Sequence, residues 1–204
     1  MESKQRRVGR VTQAFPYQVV AAVLLVLAAV AGWSSLIVVV GGQVIPAWVV
    51  GSSLLVISLI LAGVHTVRKL GAADDKAPIP RPGLRHLVLG LLAAAAGLGC
   101  VFGAVSDLAG GADYRVLRPV GPDGCVAVVR ETSFLKASDG VVYAVGRTGV
   151  AWQPSGSWTA DDMYRPVAEG AYELRWSGAD GTFAVSGSAT DPIVASELNP
   201  LDCG

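Results

Sequence analysis

The sequence predicts three transmembrane helices followed by an extracytoplasmic antiparallel β-sandwich or small barrel. Two observations predict the helices: Asp, Glu, Lys and Arg are absent from residues 11–67 and again from residues 87–106. A charged side chain at the bilayer centre costs about 2.5–3.5 kcal/mol, so long uncharged segments suit hydrocarbon. A third observation predicts the β-domain, because alternating apolar and polar residues replace the continuous apolar runs after Asp107. A very hydrophobic soluble helical bundle is the alternative.

The apolar runs define the domain boundaries. Each run has about 19–24 residues, which at about 1.5 Å per residue matches the thickness of a bilayer core. The first run continues beyond the small residues of 28–31, so a retained helix is favoured over a cleaved signal peptide. We expect a cytoplasmic basic tail at 1–16, membrane helices at 17–40, 47–67 and 87–106, an outer turn at 41–46, a cytoplasmic basic linker at 68–86 and the β-domain at 107–204.

The charge distribution predicts the orientation. The tail has four basic residues and the 68–86 linker has five, whereas the 41–46 turn has none. Because Lys and Arg accumulate on the cytoplasmic side, we expect a multi-pass plasma-membrane protein with a cytoplasmic N-terminus and an extracytoplasmic C-terminal domain. Seven basic and thirteen acidic residues occur from Asp107 onward. A net-negative domain argues against nucleic acid as a partner, since affinity for nucleic acid comes mostly from cations that meet phosphates.

Small residues recur at four-residue spacing in the third apolar run, at Ala95, Gly99 and Gly103. This spacing lets two helix backbones approach closely. It predicts either packing against the other two spans or self-association of two chains. No acidic or basic residue lies within any predicted span, which disfavours a transport pathway. His65 and His86 border the spans, and we interpret them as interfacial residues rather than as a metal pair.

The β-domain contains two predicted hairpins. Residues 172–176 and 182–186 alternate around an Asp-Gly turn, and residues 133–137 and 141–146 flank a second Asp-Gly pair. Residues 125–130 are apolar and rich in valine, which predicts a strand buried on both faces.

The cysteines predict one disulfide. Cys125 and Cys203 both lie in the β-domain, in the compartment where disulfides persist. Closing this loop of about 80 residues would stabilise the fold by about 4–5 kcal/mol on the chain-entropy model. Two free thiols are the alternative. Cys100 lies within the third run and is expected to be a packing residue.

Known catalytic motifs are missing from the β-domain sequence. It contains no His, which removes Ser-His-Asp and Cys-His nucleophile systems and the usual His-containing zinc sites. Paired carboxylates could still act as acid and base, but the adjacent Asp161 and Asp162 would point to opposite faces of an extended segment. We therefore predict no enzymatic activity, no cofactor and no metal site.

An aromatic loop is the candidate binding site. Trp152 and Trp158 flank a Gly/Pro/Ser-rich segment, and Tyr164 and Arg165 follow closely. Exposed Trp is typical of interaction hot spots, although ordinary packing of these rings is an equal alternative. We expect a protein that displays its β-domain for binding, sensing or assembly, with the lipid bilayer and a protein or a second copy as partners. An accessory subunit of a larger membrane complex and a carboxylate-dependent enzyme are the alternatives.

Overall fold

The computed structural model describes residues 17–70, 83–178 and 180–203. Its helices are α1 Tyr17–Gly32, α2 Ala47–Leu70 and α3 Leu84–Ala109. Two apolar segments, Ala47–Val67 in α2 and Leu84–Ala109 in α3, are long and apolar enough to cross a bilayer. They contain the predicted spans 47–67 and 87–106. The predicted basic tail and residues 71–82 of the predicted linker lie outside the described residues.

The predicted first span, residues 17–40, is divided into a helix and a strand. α1 ends at Gly32, and β1 Ile37–Val40 pairs antiparallel with β2 Gln43–Pro46. The β-branched run in β1 favours a strand, and the two glycines of 41–42 have φ values of 59° and 83°. The prediction of a continuous helix is therefore wrong beyond Gly32, and the predicted outer turn holds half of a hairpin. The apolar stretch within α1 is shorter than the two apolar segments of α2 and α3.

Three open antiparallel sheets make up the β-structure. The remaining strands are β3 Asp113–Val116, β4 Val126–Phe134, β5 Ala137–Val145, β6 Val150–Ala151, β7 Gly156–Asp161, β8 Tyr172–Ser177, β9 Asp180–Val185, β10 Ile193–Leu198 and β11 Leu201–Asp202. The strand orders are β2-β1-β6, β10-β7-β5-β4-β3 and β11-β9-β8. No sheet closes on itself within the described residues, so the predicted alternative of a small barrel is wrong.

The five-stranded sheet is covered on both faces. Ala127 and Val129 of β4 pack in one core with residues of β8, β9 and β11. Val128, between them, points to the opposite face and packs with Ile37 of β1 and Tyr143 of β5. The strand predicted to be buried on both faces is thus confirmed. The β1–β2 hairpin belongs to this second core, although it lies between two helices in the chain.

Both predicted hairpins form, but neither turns at its Asp-Gly pair, since Asp180 and Gly181 lie inside β9. β8 and β9 pair from Tyr172 opposite Val185 to Ser177 opposite Asp180. The second hairpin joins β4 to β5, but its turn lies at residues 135–136, and the Asp-Gly pair is inside β5. Gly140 is needed there because a Cβ atom on it would lie 2.0 Å from ring carbons of Trp158. This glycine therefore makes room for a side chain of the neighbouring strand.

Candidate functional site at the junction of the helices and the sheet

The predicted aromatic loop does not form one surface. Trp152 is 60% exposed, whereas Trp158 is only 2% exposed. The Trp158 ring lies in the first core, with its centroid 5.5 Å from that of Phe183. Trp158 is therefore a packing residue, and the interpretation of both rings as a joint binding patch is wrong. Trp152 alone retains the exposure that the prediction requires.

Tyr164 and Arg165 do not lie beside Trp152 in an exposed patch. Their side chains instead donate hydrogen bonds within the chain. Arg165 donates from Nη2 to the carbonyl oxygens of Gly110 at 3.1 Å and Gly111 at 2.9 Å, and from Nε to the hydroxyl of Ser133. These carbonyls follow the end of α3, where helices leave backbone acceptors without intrahelical partners. The Tyr164 hydroxyl donates weakly, at 3.5 Å, to a backbone carbonyl at residue 186. Arg165 thus ties the sheet to α3.

A buried carboxylate supports the segment that carries Arg165. Glu131 is 2% exposed and accepts hydrogen bonds from the backbone N–H groups of Val167 and Ala168, both at 2.9 Å. Burial raises the pKa of Glu131, and the two amide donors oppose that rise. Sequence analysis missed this residue, because an acid within an apolar strand is read as solvent-facing.

The small residues of α3 are in contact with the other helices of the same chain. A Cβ on Gly99 would lie 2.8 Å from Trp33 Nε1, and one on Gly103 would lie 2.9 Å from Trp48 Cβ. Trp33 Nε1 donates to the carbonyl oxygen of Ala95 at 2.9 Å. This face of α3 is therefore occupied by residues at the end of α1 and the start of α2.

The two cysteines of the β-domain lie together. Cys125 and Cys203 are joined as a disulfide, with their Cα atoms 6.0 Å apart. The bond links the residue before β4 to the residue after β11. Cys100 is a buried free thiol, and its Sγ would lie 2.9 Å from a Cβ on Gly51. It packs α3 against α2.

One carboxylate joins the helices to the sheet. Asp107, in the last turn of α3, accepts at Oδ2 from Trp48 Nε1 at 2.7 Å and from the Tyr114 hydroxyl at 2.9 Å. Its Oδ1 accepts from Arg130 Nε at 3.0 Å and Nη2 at 2.7 Å. The Asp107 and Arg130 side chains are only 12% and 25% exposed. We call these four residues the junction network, and they connect α2, α3, β3 and β4.

The pKa values of Tyr114, Tyr143 and Arg130 are all raised, so each of these side chains stays protonated at neutral pH. Burial raises the pKa of Tyr114, and Asp107 adds to that rise while Arg130 opposes it. Burial also raises the pKa of Tyr143, which lies nearby on β5. Burial lowers the pKa of Arg130, but its hydrogen bond to Asp107 and nearby charges outweigh this, so the net shift is upward. At neutral pH the tyrosines are therefore neutral donors and Arg130 is a cation.

An open cleft of about 400 Å³ lies beside the junction network. Within the described residues, the Nη1 group of Arg130 and the hydroxyl of Tyr143 have no hydrogen-bond partner, and both residues line the cleft. Asp107 is the one carboxylate in its lining, which does not make an acid–base pair of carboxylates. The lining comprises Gly32, Trp33, Ser34, Ser35, Leu36, Ile37, Pro46, Ala47, Trp48, Phe102, Gly103, Ser106, Asp107, Tyr114, Arg130 and Tyr143.

The cleft presents hydrogen-bond donors and one carboxylate among the described residues. In residues 17–70, 83–178 and 180–203, no cluster of three or more His, Cys, Asp or Glu could hold a metal ion. The available donors in the cleft suit an acceptor group such as an oxyanion. One sequence signal pointed to this site: Asp107 is the first acid after the third apolar run. Its partners could not be read from spacing, because Trp48 is 59 residues away and Arg130 is 23 residues away.

Comparison with protein families, curated proteins and solved structures finds no match for this chain.

Proposed function

We propose that this chain is an integral membrane protein whose three helices hold the β-domain in a fixed orientation on the extracytoplasmic side, where it serves as a binding, sensing or assembly module. The junction network is the observation that carries the proposal. A domain that only had to be attached to the membrane could be connected to its helices by a flexible linker. Here Asp107 instead hydrogen-bonds to side chains of α2, β3 and β4, which favours a domain whose position relative to the helices matters.

The surface of the helices supports insertion in a bilayer. Large apolar side chains are exposed along all three helices, at 53% for Val23, 58% for Ile60 and 63% for Leu91. Such surfaces are stable when hydrocarbon covers them. α1 is short for a span, about 24 Å at 1.5 Å per residue. Its Ala28 is fully buried, which supports a retained helix rather than a cleaved leader.

The disulfide and the charge distribution support the orientation. A bond between Cys125 and Cys203 suits an oxidising compartment. The basic tail and linker suit the cytoplasmic face. Protease added to intact cells should cut at Lys136, which is exposed in the β4–β5 turn, and should spare Lys76. Cleavage at Lys76 with protection of Lys136 would contradict the proposed orientation and indicate the opposite one.

The cleft supports binding over catalysis, since its lining holds one carboxylate and that group is already bound by four donors. Purification in a mild detergent separates the module from an accessory subunit of a membrane complex. A stoichiometric membrane partner that remains after Trp152→Ala would favour the subunit. Loss of a partner on Trp152→Ala, with unchanged thermal unfolding, would favour a binding surface on the β-domain.

A further inference from the structure

We propose that the junction cleft binds the phosphate group of a phospholipid, with Arg130 and Tyr143 as the hydrogen-bond donors. The inference rests on the proposed membrane location and adds a ligand to it. Its starting point is Tyr143, which is 5% exposed, lines the cleft and has no hydrogen-bond partner among the described residues. Its hydroxyl is not among the fully buried polar atoms without a partner, and the residue borders the cleft. A nearly buried polar group without a protein partner calls for a partner of another kind.

The free groups in the cleft are donors, which selects an acceptor as the ligand. Both Asp107 oxygens already accept two hydrogen bonds each, so this carboxylate has little capacity left for a ligand. Arg130 uses Nε and Nη2 on Asp107, and its Nη1 group remains available in the described structure. A guanidinium donates well to phosphate oxygens because its N–H groups match their geometry. The raised pKa of Tyr143 keeps its hydroxyl protonated as a second donor.

The walls of the cleft suit a lipid rather than a free anion. Trp33 is 64% exposed and Phe102 is 68% exposed, and both border the cleft on the helices. Tryptophan at the end of a membrane helix lies at the level of lipid headgroups, and Trp33 directly follows α1. A lipid could therefore place its phosphate at Arg130 while its acyl chains remain against the exposed apolar surfaces of α1 and α3. The volume of about 400 Å³ is within the range of small-molecule sites.

The test uses the full chain purified from membranes in a mild detergent. Dihexanoyl phosphatidylglycerol is titrated while native mass spectrometry records adducts and thermal unfolding records stabilisation. Dihexanoylglycerol, which lacks the phosphate, and inorganic phosphate, which lacks the chains, are titrated in parallel. We expect an adduct and a raised unfolding temperature with the phospholipid and neither effect with the other two ligands.

Matched variants test the assigned donor. Tyr143→Phe removes one hydroxyl and should weaken phospholipid binding by about fivefold to tenfold, the effect of losing one hydrogen bond. Tyr172→Phe makes the same change beside the other core and should bind as wild type does. Both variants should unfold at the wild-type temperature without ligand, which shows that the fold is intact.

Several results would overturn the inference. Equal binding of dihexanoylglycerol would exclude phosphate recognition, and equal binding of inorganic phosphate would exclude a lipid. Unchanged affinity in Tyr143→Phe would remove the assigned donor. Alkaline extraction tests the membrane location separately. If the chain stays in the membrane but forms no phospholipid adduct, only the lipid site is refuted. A chain released by alkaline extraction would instead defeat the proposed membrane location.

Discussion

Replacing Asp107 by alanine should destabilise the protein by about 2–4 kcal/mol. Removing one partner of a buried ion pair costs about 3–5 kcal/mol, because the other charge is left without compensation. The Arg130 side chain is 25% exposed, so water would recover part of that loss. Trp48 and Tyr114 would also lose their acceptor. At about 2–4 °C per kcal/mol for a chain of this size, a loss of 3 kcal/mol lowers the unfolding temperature by about 6–12 °C.

Thermal unfolding in detergent measures this effect, and Asp113→Ala is the matched control. Asp113 pairs with Arg115, but these side chains are 37% and 44% exposed. Exposed pairs contribute about 0–1 kcal/mol, so the control should unfold within about 4 °C of wild type. A double variant, Asp107→Ala with Arg130→Met, should recover part of the loss, since it removes the uncompensated charge as well.

Equal unfolding temperatures for Asp107→Ala and Asp113→Ala would refute the reasoning. Asp107 would then be a solvated residue at a helix end, and the rigid junction between helices and sheet would lose its support. A double variant less stable than Asp107→Ala would also contradict it, because Arg130 would then stabilise the fold independently of Asp107.

Three further substitutions test the packing. Gly140→Ala should cost about 3 kcal/mol or more in unfolding free energy, because the added methyl group collides with the Trp158 ring. Glu131→Gln should cost about 1–3 kcal/mol at neutral pH, since one backbone N–H loses its acceptor. Gly99→Leu should lower the unfolding temperature in detergent, because its side chain must displace Trp33. Wild-type unfolding of any of these variants would contradict the close packing or the hydrogen bond on which its prediction rests.

Two open glycines provide controls for these variants. A Cβ on Gly97 or on Gly63 meets no atom within 4 Å in the described structure. Gly97→Leu lies on the same helix as Gly99 and should leave thermal unfolding close to wild type. Gly63→Ala adds a methyl group in open space on α2 and should be neutral or slightly stabilising, since alanine favours helix.

Sequence patterns within short segments predicted several features of the fold. Lack of charge identified α2 and α3, and two alternating runs identified the β8–β9 hairpin, although its Asp-Gly pair lies inside β9 and not in the turn. The valine-rich run at residues 125–130 indicated a strand buried on both faces. Each of these signals is contained in one short segment, so no knowledge of distant contacts was needed.

Features set by distant contacts could not be predicted. Residues 37–40 are as apolar as a membrane helix, and only pairing with β2 and β6 shows that they form a strand. The Asp-Gly pair at 139–140 has the sequence of a turn, but Trp158 requires a glycine there within a strand. Leu135 has a φ of 56° in the actual turn, a conformation that leucine rarely adopts. Asp107 gave no hint of its partners for the same reason.

The β1–β2 hairpin makes the core of the β-domain depend on residues that lie between α1 and α2. Residues 107–204, expressed as a soluble fragment, would lack two of the three strands of the β2-β1-β6 sheet. The core that contains Val128 and Tyr143 would then lack Ile37, Val39 and Val44. We expect such a fragment to aggregate or to bind hydrophobic dyes. Crystallisation trials or antibody selection should therefore use the chain with its N-terminal helices attached.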